Sequence, residues 1–484
     1  MKKMNTLQDF KQLSEVEWEI PQEGAMQVSV RVIANQEILQ DALADESFQQ
    51  ARSAAALPGV VGNVMVMPDV HQGYGFPIGG VAAMDYETGV ISPGAIGYDI
   101  NCGVRLLASQ IPYTEAKRWM DDLLLALDQA CPSGMRRKSQ FPINLKQLDQ
   151  ILEQGSFWLK KNGQASPQDI AHTESNGCLR FANPDAVSER AKLRGVDQLG
   201  TLGSGNHFLE VGIVDEIFDE EAAAMMGLVK GNLTVMIHCG SRGLGHQVCG
   251  DALQILQQSM QKEHIIPPNR DLSYAYIQSK EGQSYLGAMG AAANFAFANR
   301  QALAYQVSQV FDDVLAGKVK RRELNLVYDV AHNMGNIEMH QVQGKEVRVC
   351  VHRKGATRAF GPGSADIPDL YQKIGQPVLV PGSMGTSSWV LTGTREAMQK
   401  SFGSSCHGAG RTLSRQKAKK LVDGRGLIQE LGKHGVLVRT ASIQGLAEEA
   451  PQAYKDVDAV VESVTTAGIA HRVARLLPLA VIKG

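Results

Sequence analysis

The sequence predicts an α+β fold carried by one large domain, residues 1–484. Three observations lead there. Helix-like and strand-like segments are mixed without a regular βαβ alternation, which disfavours a doubly wound parallel sheet. Apolar residues make up 44% of the 484 positions, enough to bury a large core. No repeat, low-complexity linker or shift in composition divides the chain.

The helical signals come first. In segment 113–130, Trp119, Leu123, Leu124 and Leu127 recur at helical spacing. Segment 289–316 is rich in alanine, the best helix former. The basic run after it, Lys318, Lys320, Arg321 and Arg322, reads as a solvated helix terminus. Short apolar runs at 233–238, 324–332, 347–352, 377–382 and 435–442 read as strands, each closing on Gly, His or Ser.

Composition narrows the function classes. A net charge of −2 excludes histone-like wrapping of nucleic acid, although a local basic groove is compatible with it. The 49 glycines imply many tight turns or close approaches of backbone to a ligand. Seven cysteines, an odd number without regular spacing, argue for a reducing compartment and against a disulfide framework. Residues 1–20 have no apolar signal-peptide core, and no apolar run reaches membrane-spanning length. A cytoplasmic protein with no membrane partner is expected.

The histidines carry the chemistry. His207 lies in GSGNHF, His238 ends LTVMIH, His332 ends VYDVAH, and His407 lies in SSCHGAGR. A strand holds such a residue rigidly, and the flexible turn beside it leaves room for a ligand. A single such histidine is ordinarily a core imidazole; four with one local grammar point to metal, because neutral imidazole is the commonest protein metal ligand. Asp99 and Cys102 form a D-x-x-C turn in GAIGYDINCGVR that can aim a carboxylate and a thiolate at one point. An Asp/Cys/His set accepts Zn, Mn or Fe, and spacing does not choose among them. In MPDVHQGYGFPIGG (67–80), Asp69 and His71 are two apart and share a face if the segment is a strand.

Anion sites follow. There is no GxxxxGK[ST] loop and no complete GxGxxG, so a Walker NTPase or Rossmann enzyme is disfavoured. Glycine-rich turns do occur beside Arg242, Arg353, Lys354 and Arg411, and consecutive backbone N–H groups there form anion nests. Together they suggest a phosphate-rich substrate. KLVDG at 420–424 looks like the K-x-D-G motif of lysine-dependent ligases but has one residue too many between Lys420 and Asp423.

Taken together, these motif blocks resemble the RtcB RNA ligases from 67 to 484, with 1–66 a less distinctive part of the same domain. The resemblance implies an RtcB-like fold, with mixed and antiparallel sheets and surrounding helices around a deep metal-containing cleft. It implies joining of RNA 3′-phosphate or 2′,3′-cyclic phosphate ends to 5′-hydroxyl ends with GTP and two Mn2+, in tRNA splicing or RNA repair. By motif, Asp99, Cys102, His207, His238 and His332 are the expected manganese ligands, with Cys102 bridging. His407 is the expected guanylylated histidine, and Asp69 an acid needed for activity. Asn206, Glu210, Asn333, Ser383, Ser388 and Lys483 are expected on the guanine nucleotide, and Arg194, Arg242, Lys354 and Arg411 near phosphates. The family also implies archease as a possible activator. The rival readings are a dinuclear metal phosphoesterase or nuclease, an end-capping guanylyltransferase, and a non-catalytic RNA-binding scaffold. The low aromatic content, 6%, speaks against the scaffold.

Overall fold

The computed structural model describes residues 6–134 and 138–484. It is α+β, with two large sheets flanked by helices. The first sheet runs Lys11–Gln12, Glu17–Ile20, Val30–Ile33, Val60–His71, Ile78–Asp85, Lys345–Lys354, Asn333–Val342. Its neighbours are antiparallel except Val30–Ile33 beside Val60–His71. The second sheet runs Leu324–Ala331, Gly103–Pro112, Asn232–Cys239, Phe208–Ile217, Ala470–Lys483, Ser388–Gly393, Pro377–Val380. Leu437–Thr440 joins it as a short parallel partner of Ala470–Lys483.

All five apolar runs are strands. Every residue of Asn232–Cys239 is buried, as a continuous apolar run in mid-sheet requires. The 113–130 helix is present but broken: Tyr113–Ala116 and Met120–Ala130 flank a 3-10 turn, Lys117–Trp119. At the break the Trp119 ring lies under Arg118 and under Lys318, whose ammonium is 4.0 Å from the ring centroid. Part of the basic run therefore covers an aromatic ring and is not simply solvated.

The alanine-rich helix starts earlier than expected, spanning Lys280–Leu315. Ser279 caps it by accepting from the Gly282 N–H. Gly282, Gly287 and Gly290 lower the propensity of its first turns, but packing overrides that cost. A Cβ at Gly290 would meet the Phe181 ring at 2.9 Å. This helix lies behind the second sheet and sends Arg300 through to the residues flanking the candidate site.

His332 is the single residue between Leu324–Ala331 of the second sheet and Asn333–Val342 of the first. The chain thus passes from one sheet to the other at a candidate ligand. Among the described residues no helix is long and apolar enough to cross a membrane.

Candidate metal centre and nucleotide cleft

The ligand candidates come from strand ends. Asp99 and Cys102 precede Gly103–Pro112, His207 precedes Phe208–Ile217, and His238 lies near the end of Asn232–Cys239. These strands are neighbours in one sheet, so their ends meet at one place. Cys102, His238 and His332 form one group, and Asp99, Cys102 and His207 a second. In each group the ligand atoms lie within 4.8 Å of one another. Cys102 belongs to both, where a bridging thiolate would sit: its Sγ is 3.5 Å from His207 Nε2 and 3.3 Å from His238 Nε2.

The donor chemistry fits divalent cations. Burial, reinforced by the neighbouring imidazoles, pushes His238 and His332 well below the ordinary range, which favours the neutral form that ligates metal. Their Nε2 atoms are nevertheless only 3.3 Å apart. Two facing lone pairs need a cation or a proton between them. The Leu202 carbonyl accepts from His207 Nδ1 at 3.0 Å, leaving Nε2 directed at Asp99 Oδ2, 2.7 Å away. Asp99 Oδ1 is buried with no hydrogen-bond partner, an acceptor a metal would satisfy. Burial and the Asp99 charge push the Cys102 thiol up to about 12. It can serve as a thiolate only beside a compensating cation, which is the usual state of a coordinating thiol.

Asp69 and His407 come from the other side. Asp69 is fully buried in Val60–His71, and His407 follows the short strand Ser404–Cys406. Asp69 Oδ2 accepts from the His407 backbone N–H at 3.0 Å and lies 2.5 Å from His407 Nδ1. Gly410 makes this approach possible: its φ is +73°, and a Cβ there would lie 2.2 Å from the Asp69 carbonyl oxygen. The His407 and His332 ring centroids are 4.7 Å apart. The residues therefore form a line, from Asp99 and His207 through Cys102, His238 and His332 to His407 and Asp69.

All of these except Asp69 border one cleft of about 1600 Å³. Asn206, Glu210, Asn333, Ser383, Lys483, Arg194, Arg242, Lys354 and Arg411 line it too. Burial raises Glu210 to about 8, with Lys483 pulling the other way. Burial lowers Lys354 to about 7, and its ammonium donates to the carbonyls of Tyr74 and Gly94. Arg242 donates from Nε to Thr201 Oγ1, and Arg194 from Nη1 to Gln247 Oε1. Asn333 is held by backbone on both sides: Nδ2 donates to the Asp99 carbonyl and Oδ1 accepts from Gly355 N–H.

Two expected residues lie elsewhere. Ser388 is buried behind the cleft, where its Oγ accepts from the Gly382 N–H and so shapes the turn carrying Ser383. Arg353 does not serve an anion nest. It alternates with Lys354 along Lys345–Lys354, so it points to the opposite face, where both Glu338 carboxylate oxygens accept from its guanidinium.

Two supporting groups lie outside the residues singled out in the sequence. Glu449, only 1% exposed, accepts from Arg411, Arg415 and the Tyr454 hydroxyl, and lies 3.9 Å from the Lys483 ammonium. Beneath the metal candidates, Arg300 donates to the carbonyls of Asn101 and Cys239 and to Asp329, which Arg105 also contacts. A lone acid in the apolar run LNLVYDVA and a lone cation in the alanine-rich helix were the available signals. Glu449 sits in an ordinary acidic stretch and had none.

Comparison with known proteins agrees with this geometry. Residues 50–484 match the family described as tRNA-splicing ligase RtcB. The tRNA-splicing ligase RtcB of Thermococcus kodakarensis is 49% identical over 482 residues, covering 99% of this chain and 100% of the relative. That of Archaeoglobus fulgidus is 48% identical over 483 residues, 99% and 100% of the two chains. The RNA-splicing ligase RtcB homolog 1 of Entamoeba histolytica is 47% identical over 439 residues, 90% and 83% of the two. Fold, site and similarity define an enzyme of the RNA-ligase class. The chain belongs to the tRNA-splicing ligase RtcB family.

Proposed function

We propose that this ligase uses GTP to join RNA 3′-phosphate ends, or 2′,3′-cyclic phosphate ends after opening, to 5′-hydroxyl ends, in tRNA splicing or RNA repair, through a guanylylated His407. One observation carries this reading: His407 Nδ1 is tied to the buried Asp69 carboxylate beside the metal-ligand line. A proton held on Nδ1 by that carboxylate leaves the Nε2 lone pair free as a nucleophile. Asp99, Cys102 and His207 would hold one Mn2+ and Cys102, His238 and His332 a second. When bound, such ions neutralise charge on phosphoryl oxygens and orient the attacking group.

His407 Nε2 attacks the α-phosphorus of GTP. A P–N bond forms, the α–β P–O bond breaks, and pyrophosphate leaves. The RNA 3′-phosphate then takes the GMP from His407 and becomes an anhydride. The 5′-hydroxyl oxygen attacks the RNA phosphorus of that anhydride, loses its proton, and expels GMP. Glu210 and Lys483 complement the donor and acceptor edges of guanine, with Asn206, Asn333 and Ser383 beside the nucleotide and Ser388 acting from behind. Arg194, Arg242, Lys354 and Arg411 receive phosphates. Residues 1–484 work as one domain in the cytoplasm, where the seven free cysteines stay reduced. Archease is the candidate activator protein in this reading.

The test is incubation with MnCl2 and α-labelled GTP, followed by acid treatment. An acid-labile protein-bound label, absent from His407→Ala, is expected. An unlabelled wild type, or equal labelling of His407→Ala, sinks the mechanism and favours a phosphoesterase. Labelling without sealing of a 3′-phosphate/5′-hydroxyl RNA pair identifies an end-capping enzyme.

A further inference from the structure

The wall of the cleft beside Asp99 is built differently from the rest. Tyr98 immediately precedes Asp99, and its ring is 37% exposed. It faces the ring of the exposed His246, on the helix Arg242–Lys262, with centroids 6.0 Å apart and planes only 26° from parallel. The Tyr74 ring is tilted against Tyr98 at 60°, with 5.5 Å between centroids. All three rings line the cleft, together with Arg194, Arg242 and Lys354. The described wall around Lys483 and Glu449 carries a similar ring, Tyr454, at the nucleotide end.

Exposed aromatic rings are costly to leave in water and are useful where a flat partner covers them. Single-stranded RNA offers such partners, because unstacked bases settle on Tyr and His rings while basic residues track the phosphates. Guanine of the bound GTP has its own place beside Glu210 and Lys483, so the partner on this wall is a different base. We infer that Tyr98 and His246, backed by Tyr74, form a stacking platform for the terminal nucleobase of an RNA end delivered to the Asp99 side of the metal centre. This rests on the ligase reading above, and it adds a base contact to a site otherwise made for phosphates. The platform recognises a ring face and not a base edge, so any base is accepted.

The experiment is a cycle between the protein ring and the RNA base, with the full chain loaded with Mn2+. Sealing KM is measured for an RNA pair, and for the same pair made abasic at the 3′-phosphate terminal nucleotide or at the 5′-hydroxyl terminal nucleotide. Wild type and the variants Tyr98→Leu, Tyr98→Phe and His246→Ala are compared. Removal of the stacked base should raise the wild-type KM roughly 5- to 100-fold. Tyr98→Leu should raise the intact-RNA KM similarly and then be indifferent to the abasic site, while Tyr98→Phe behaves as wild type. Labelling of each variant with GTP, which needs no RNA, reports folding and metal loading. Coupling at either terminus supports the platform and identifies which end it holds. If labelling is normal and abasic RNA loses as much with Tyr98→Leu and His246→Ala as with wild type, at both termini, the platform is wrong. Failure of wild-type labelling would instead remove the ligase mechanism on which it rests.

Discussion

At the residue scale, the site depends on which atom of each side chain is already engaged. His407 has one ring nitrogen held by Asp69, and His207 has one held by the Leu202 carbonyl. In both cases the partner engages one nitrogen, and the proposed role falls to the other. Asp69→Asn keeps the shape of the contact but not its charge, so guanylylation should fall roughly 10²- to 10⁴-fold with normal metal content. Single-turnover labelling reads the first quantity and elemental analysis the second. Cys102 makes a separable claim, because it belongs to both ligand groups. Cys102→Ala should lose both ions, whereas His207→Ala, which touches one group, should keep about half the metal. Equal metal content in the two variants would remove Cys102 from the bridging position. These residues were legible in the sequence because each stands out locally: a histidine closing an apolar run, or a cysteine among glycines. Glu449 does not stand out. Its importance comes from three cationic neighbours brought from sequence-distant positions, and only the folded chain assembles them.

At the scale of elements, the hairpin formed by Asn333–Val342 and Lys345–Lys354 shows how one strand serves two purposes. Lys354 faces the cleft, while Arg353 faces Glu338 and also donates to Ser404 and to the Phe402 carbonyl. The second pair of contacts ties the hairpin to the segment that delivers His407. In the sequence Arg353 shares a glycine-rich basic turn with Lys354, and alternation along the strand separates the two. Burial pushes the Glu338 carboxyl up, but Arg353 and His340 overcome this and hold it at about 2. A carboxyl depressed in the folded state stabilises the fold above the ordinary carboxylate range, and that contribution is lost as pH falls from about 4.5 toward 2. Thermal midpoints measured across that window should fall less steeply in Glu338→Gln than in wild type. The same variant leaves Arg353 buried with a neutral partner, so at pH 7 it should be destabilised by about 3–5 kcal/mol in denaturant titration. The turn after His407 makes an independent prediction. Gly410→Ala places a methyl group against the Asp69 backbone and should slow labelling while sparing metal content. The helix boundaries were less legible than the strands. Glycines at 282, 287 and 290 weakened the helical signal, and the packing that justifies them is invisible in a linear pattern.

At the scale of the whole molecule, the candidate metal centre is fastened to the core from behind. Arg300 reaches out of the Lys280–Leu315 helix to the Asn101 and Cys239 carbonyls, and Asp329 neutralises both Arg300 and Arg105. Asp329→Asn strands two buried guanidiniums, so it should lower stability by about 3–5 kcal/mol and reduce metal affinity at the same time. Metal should in turn stabilise the protein. At a hundredfold excess over its dissociation constant an ion bound only by the folded state adds about 2.7 kcal/mol, so chelation should lower the thermal midpoint and MnCl2 should restore it. No change on chelation would mean that these donors hold no metal. The α+β class was readable in the absence of βαβ alternation, but sheet order was not, because it joins strands hundreds of residues apart.

One such pairing bears on how the enzyme is made. Ala470–Lys483 lies inside the second sheet, between Phe208–Ile217 and Ser388–Gly393. During synthesis the Phe208–Ile217 strand emerges long before its partner, and one edge of it stays open until residue 483 has cleared the ribosome. An open edge is a template for wrong pairing. The nascent chain therefore carries the strand that follows His207 through most of translation with only its Asn232–Cys239 edge paired, and Lys483 arrives with the strand that closes the other edge. The second sheet, and with it the wall of the cleft, is complete only when this last of its strands has been made.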